Sequence, residues 1–333
     1  MKGGLILLLL FGAAAGMSVD GIDEADGRLG NVEFTVVREQ MSRTHRAINK
    51  DIVFLGDSTA LNDIDASGLQ QATGQSVVSV AVMAACGPET INGQLEVILD
   101  QITDSTDDHR PHIIVTINPI SFQRYDSNLA GFSSKGLTGV KQTLSIQRQI
   151  RYSVRALMGR LLTWPLPCSF VVAHGDSSGL IHAMDLGSGT FADPNPPLHS
   201  IRLIEDGTND VLDIKHTEHQ ILTNIDQTII AKLRASGCSV DLLITPIPLE
   251  ISTRKVMLAI LSLNDNTVNQ LGLNDWIPMP WGMSGELFAN QHLSAEGRAT
   301  YTKALAIKLQ QRYSDLTADR RSDAHACTSY WKK

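Results

Sequence analysis

Short runs of Val, Ile and Leu recur along the chain, each ending abruptly on polar or turn-forming residues. Four stand out: DIVFLG (51–56), SVVSVAV (76–82), HIIVTI (112–117) and VDLLITPIP (240–248). They are close to continuously apolar rather than alternating, the pattern of parallel strands covered on both faces. Between them the apolar positions fall at helical spacing. Residues 89–103 carry Ile91, Leu95, Val97, Ile98 and Ile102. Residues 217–235 carry Ile221, Leu222, Ile225, Ile229 and Leu233, and Gly237 follows as a C-terminal cap. A last helix is predicted from a Ser294 cap through Tyr301, Leu305 and Leu309. Strands alternating with helices predict a layered α/β domain with a parallel sheet over residues 51–315. Residues 123–212 break the rhythm and read as a lid-like insertion, and 316–333 read as a C-terminal tail.

The first residues, MKGGLILLLLFGAAAGMS, combine one Lys, an apolar run and small residues. The run is short for a membrane span of about 20 residues. Ala13 and Ala15 form an A-x-A cleavage pattern, so residues 1–17 read as a signal peptide or an uncleaved anchor. Either sends the protein to the periplasm or the cell surface, or outside; a misread start is the remaining alternative. Residues 18–50 read as a linker and N-terminal segment, its first part acidic and glycine-rich.

A formal charge of −7 and the lack of a long basic cluster argue against a nucleic-acid partner. Cys86, Cys168, Cys238 and Cys327 lie far apart, with no C-x-x-C and no zinc spacing. Two disulfides in an oxidising compartment and buried thiols both remain open. His216 and His219 flank Glu218 without a third ligand, so no metal site and no organic cofactor is implied.

In an open parallel sheet, ligands bind at the carboxyl ends of the strands. The first run ends on Gly56-Asp57-Ser58 and the third leads into Asn118-Pro119. FANQHLSAEGR places His292 just before the last helix. A hydroxyl, an amide and an imidazole are the parts of nucleophilic acyl transfer. A tight turn at Gly56-Asp57-Ser58, with Asp and Ser as helix caps, is the plainer reading of the same residues.

GDS after an early strand, Asn at a later strand end and H-L-S-x-x-G before the terminal helix resemble the SGNH (GDSL-type) hydrolases. Its exported branch, with polysaccharide and peptidoglycan O-acetyltransferases and esterases, is the nearest in character. The resemblance implies a three-layer α/β/α sandwich. It makes Ser58 the nucleophile and His292 the general base, with the Ser58 N–H, Asn118 and Gly87 around the oxyanion. Ala84 or Ala85 could take the place of Gly87, and Asn209 in GTND (207–210) is the alternative to Asn118. RPHIIVTINP is the better buried strand, which favours Asn118.

The family places Asp three residues before the histidine, where this chain has Ala289. Three readings stay open. A carboxylate comes from elsewhere, such as Glu286; a Ser-His dyad is oriented by Asn290 or a carbonyl; or the fold only binds. The expected function is therefore a serine esterase or O-acyltransferase acting through an acyl-serine. Its expected substrate is an acylated carbohydrate or another small ester, with a cell-envelope acyl-transfer partner. The alternatives are a catalytically inactive binding or assembly protein on the same fold, or an unrelated flavodoxin-like binding domain with Ser58 and His292 far apart.

Overall fold

The structure, a computed structural model, describes residues 40–82, 86–119, 214–248, 254–279, 282–289 and 292–330. The lid-like segment 123–212, Ala84, Ala85, Asn209 and Asn290 lie outside the described residues. So do the leader 1–17 and most of the linker. Among the described residues no helix is long and apolar enough to cross a membrane.

Strand β1 (Ile52–Gly56) leads into helix α1 (Ser58–Asp63) and helix α2 (Ala66–Thr73). Strand β2 (Val77–Ser79), helix α3 (Pro88–Asp104) and strand β3 (His112–Ile117) follow. After the undescribed segment come α4 (Ile214–Asn224), α5 (Gln227–Ala235), β4 (Ser239–Ile244) and β5 (Ile247–Pro248). Then come α6 (Arg254–Leu271), β6 (Asp275–Trp276) and β7 (Gly282–Met283). Strands β8 (Phe288–Ala289) and β9 (His292–Leu293) precede α7 (Ala295–Tyr330).

Five strands form one parallel sheet in the order β2-β1-β3-β4-β6. Successive side chains along a strand point to opposite faces. Ile52, Phe54 and Ile114 accordingly join Leu61, Leu69, Tyr301 and Leu305 in one core, under α1, α2 and α7. Val53, Leu55, Val115 and Leu242 join Ile91, Leu95, Ile230 and Ile260 in the other, under α3, α5 and α6. The sheet is thus covered on both faces, as its continuously apolar strands require.

Four differences from the sequence reading have local causes. The helix expected over 217–235 is two helices, because Asp226 interrupts it and caps α5 by accepting from the Thr228 N–H at 2.7 Å. Hydrogen bonds from Thr228 hold the Asp226 carboxyl below its usual range. Helix α6 was not expected, since its buried stripe mixes Val256, Ile260 and Leu263 with buried Asn264 and Thr267. Strand β2 is shorter than its apolar run, although Val80 N and Val82 N still donate to Phe54 O and Gly56 O at 2.8 and 2.9 Å. Helix α7 runs on through much of the segment expected to be a tail.

Candidate active site

Strand β1 has β2 on one side and β3 on the other, so the chain reverses direction across the sheet between β1 and β3. Beside such a reversal, at the carboxyl ends of the strands, is the usual ligand position in open parallel sheets. Ser58 follows β1 and Asn118 follows β3, so both lie at this point.

Gly56 ends β1 opposite Thr116 of β3. A Cβ on Gly56 would lie 2.3 Å from the Thr116 carbonyl oxygen, so only glycine lets the two strand ends approach this closely. Asp57 then turns the chain into α1. Its Oδ1 accepts from the Thr59 N–H at 2.8 Å and from Thr59 Oγ1 at 2.5 Å. Its Oδ2 accepts from the Asn118 N–H at 3.3 Å, which ties the turn to the end of β3. The partly buried Ser58 is the first residue of α1, and Asn62 Nδ2 donates to its carbonyl at 2.6 Å. Asp57 is therefore the cap and Ser58 the residue that the cap positions.

Asn118 Nδ2 donates to Thr245 Oγ1 at 3.1 Å, just past the end of β4. Gly87 precedes α3 with φ of 74°, a conformation glycine adopts without strain, and Pro88 occupies the first turn.

His292 is reached from the far end of the chain. β8 and β9 pair antiparallel, with Ala289 opposite His292. Ser294 caps α7 by accepting from the Gly297 N–H at 3.2 Å. A Cβ on Gly297 would lie 2.1 Å from the Leu287 carbonyl oxygen, which itself accepts from the Ser294 N–H at 2.8 Å. The glycine of the H-L-S-x-x-G pattern is thus needed for close approach, and it seats the turn Gly285–Leu287 on α7 beside the histidine strand.

The carboxylate set against His292 is that of Asp63, the last residue of α1. Its Oδ1 lies 3.5 Å from His292 Nδ1 and accepts from the Leu293 N–H at 2.9 Å. Asp63 is fully buried and His292 has 13% of its side chain exposed. Burial holds the Asp63 carboxyl above its usual range; His292 and the Leu293 N–H partly offset this, and the Asp57 charge adds to it. Tyr301 of α7 is also buried, and burial together with the Asp63 charge pushes its hydroxyl far up, so it remains protonated.

Glu286, one sequence candidate for orienting the histidine, is exposed on the turn Gly285–Leu287. Sequence reasoning missed Asp63 and Thr245 altogether. Neither stands at a diagnostic spacing from its partner: 229 positions separate Asp63 from His292 (292 − 63), and 127 separate Asn118 from Thr245.

Another Ser-His-Asp set lies at the opposite end of the sheet, near the amino ends of β3 and β4. His112 is in register with Ser239, and His112 Nε2 lies 2.9 Å from Asp241 Oδ2. Arg312 of α7 closes this set with contacts of 2.8 and 3.0 Å to the Asp241 carboxylate. Ser239, His112 and Asp241 are all buried, so the set is a structural latch.

Cys86 and Cys238 are buried thiols. Trp276 is partly buried against the core under α5 and α6, whereas Trp164 and Trp281 lie outside the described residues. Among the described residues no cluster of His, Cys, Asp or Glu could hold a metal ion. Compared with protein-family models, curated proteins and solved structures, the chain finds no match.

Proposed function

We propose that the protein is an exported SGNH-type serine acyl-ester hydrolase or O-acyltransferase. The observation that carries this reading is the Asp63–His292 contact on the helix that begins with Ser58. Asp63 lies five residues after Ser58, an axial rise of about 7.5 Å along that helix. Asp63 at Nδ1 favours the tautomer with its proton there, which makes Nε2 the base. The contact of 3.5 Å shortens to a hydrogen bond as the imidazolium forms.

In the reaction, Ser58 Oγ attacks the acyl carbonyl and His292 takes the hydroxyl proton. The Ser58 N–H, Asn118 and Gly87 surround the oxyanion that develops. The ester oxygen leaves with the proton from His292, and the acyl group stays on Ser58. Water or a sugar hydroxyl then attacks the acyl-serine, losing its proton to His292, and Ser58 Oγ leaves with the proton that His292 returns. Asp63 holds the ring and stabilises its charge. The leader-like residues 1–17 favour an acylated envelope or extracellular polysaccharide as substrate. A binding-only role drew its support from Ala289, and Asp63 supplies the charge that Ala289 lacks.

Turnover of p-nitrophenyl acetate, with intact-mass detection of an acyl-enzyme, tests the reading. Wild type should turn over and carry the acyl group on Ser58, while Ser58→Ala and His292→Ala should do neither. A folded wild type that never forms the adduct, with p-nitrophenyl acetate or with acetylated polysaccharide, would contradict it.

A further inference from the structure

The mechanism uses Asn118 but leaves unexplained what holds its amide in one orientation. A carboxamide can rotate by half a turn, exchanging its N–H donors for its carbonyl acceptor. Only one of the two faces can stabilise an oxyanion.

Asn118 takes part in a circuit of hydrogen bonds. Asn118 Nδ2 lies 3.1 Å from Thr245 Oγ1. Thr245 Oγ1 lies 3.2 Å from Thr59 Oγ1, which lies 2.5 Å from Asp57 Oδ1. The backbone closes the loop, because Asn118 N donates to Asp57 Oδ2 at 3.3 Å. Thr245 is itself fixed to β3, its backbone N–H donating to the Ile117 carbonyl at 3.0 Å. All four residues are buried.

The hydroxyl hydrogens around this circuit are committed to acceptors other than Asn118. The Asp57 carboxylate has no hydrogen, so the Thr59 hydroxyl must donate to it. Thr59 Oγ1 then has only lone pairs for Thr245, whose hydroxyl donates to Thr59 Oγ1 at 3.2 Å or to the Ile117 carbonyl at 3.4 Å. Thr245 Oγ1 in turn has only lone pairs for Asn118, which therefore presents Nδ2. With the carboxamide reversed, its oxygen would face an oxygen whose hydrogen is already committed. With its hydrogen spent on either acceptor, Thr245 Oγ1 sets the orientation of the amide by accepting from Asn118 Nδ2.

The geometry points to Thr245 as a positioning residue for the oxyanion site, acting through Asn118; this rests on the acyl-transfer reading above. Thr245 touches no reacting atom. It fixes which end of Asn118 faces the developing charge.

The test compares wild type, Thr245→Val, Thr245→Ser, Asn118→Ala and the double variant Thr245→Val/Asn118→Ala, using p-nitrophenyl acetate turnover. Thr245→Val keeps the shape of the side chain and removes the hydroxyl. It should lower kcat about 10-fold or more with KM nearly unchanged, less than the roughly 100-fold or greater loss from removing an oxyanion donor outright. Thr245→Ser should restore kcat to within a few-fold. In the Asn118→Ala background, Thr245→Val should cost less than about 2-fold, because the route through which it acts is gone. Circular dichroism at the assay temperature should show each variant folded. A Thr245→Val enzyme with wild-type kcat, or a loss that multiplies fully with that of Asn118→Ala, would overturn this role and leave the acyl-transfer reading standing. A Thr245→Val variant that unfolds while Thr245→Ser loses kcat as severely would overturn it too, since the hydroxyl would not be what matters. A wild type without turnover or acyl-enzyme would overturn both.

Discussion

A carboxylate buried as completely as that of Asp63 costs stability whenever it ionises. Its carboxyl is raised above the usual range in the folded protein. The favourable contribution of its protonated form is therefore fully present below about pH 4, the unfolded value, and is lost as pH rises through the folded one. Asn in its place keeps an acceptor for the Leu293 N–H without the charge. Asp63→Asn is expected to lower turnover about 1,000- to 10,000-fold. Its melting temperature should equal or exceed that of wild type at pH 8, by a larger margin than at pH 4. Thermal melts at the two pH values check this. Wild-type turnover should fall on the acid side at a higher pH than an ordinary carboxylate would set, because Asp63 must be ionised to hold the imidazolium. Ser58 and His292 were legible in the sequence because each adjoins an element boundary, a strand end or a helix cap. Asp63 was not legible, because nothing in ALNDID separates a carboxylate turned into the core from one turned to solvent.

At the scale of elements, close backbone approach and one buried ion-pair network hold the site's supports. Gly56→Ala would drive a Cβ into the Thr116 carbonyl and should cost about 1–3 kcal/mol in denaturant unfolding. Gly297→Ala would push the turn Gly285–Leu287 away from α7 and should also lower kcat, since that turn sits beside the histidine strand. At the other end of the sheet, Asp241 binds His112 of β3 and Arg312 of α7. Burial opposes its ionisation, but His112 and Arg312 together hold its carboxyl below the usual range. Its stabilisation is thus present above about pH 4 and lost as pH falls through the lower folded value. Asp241→Ala leaves Arg312 with Asp275 at 3.8 Å and removes the partner of buried His112, and should destabilise by about 1–3 kcal/mol at pH 7, with the gap to wild type narrowing in acid. The core strands were readable from the sequence because parallel strands covered on both faces are continuously apolar. The split between α4 and α5, and α6 as a whole, were not, because a capping Asp and buried Asn and Thr interrupt the apolar period.

Among the described strands the whole molecule places Ser58 and Asn118 where the sheet reverses direction, and it brings His292 from the far end of the chain against Asp63 of the helix that Ser58 begins. Four recognisable strands made the α/β class legible. The strand order was not, because it depends on which face each connection crosses. The reading of residues 1–17 as a leader predicts that protein recovered from the periplasm or medium lacks them, or that full-length protein stays with the membrane; intact-mass analysis of the fractions decides.

The central claim is that Asp63, through His292, activates Ser58. Its most direct test is the rate at which a fluorophosphonate probe labels Ser58, followed by peptide mass spectrometry in wild type, Asp63→Asn and His292→Ala. Wild type should label at Ser58, and both folded variants should label at least about 100-fold more slowly. Equal labelling of wild type and Asp63→Asn, or labelling at another residue, would contradict the account.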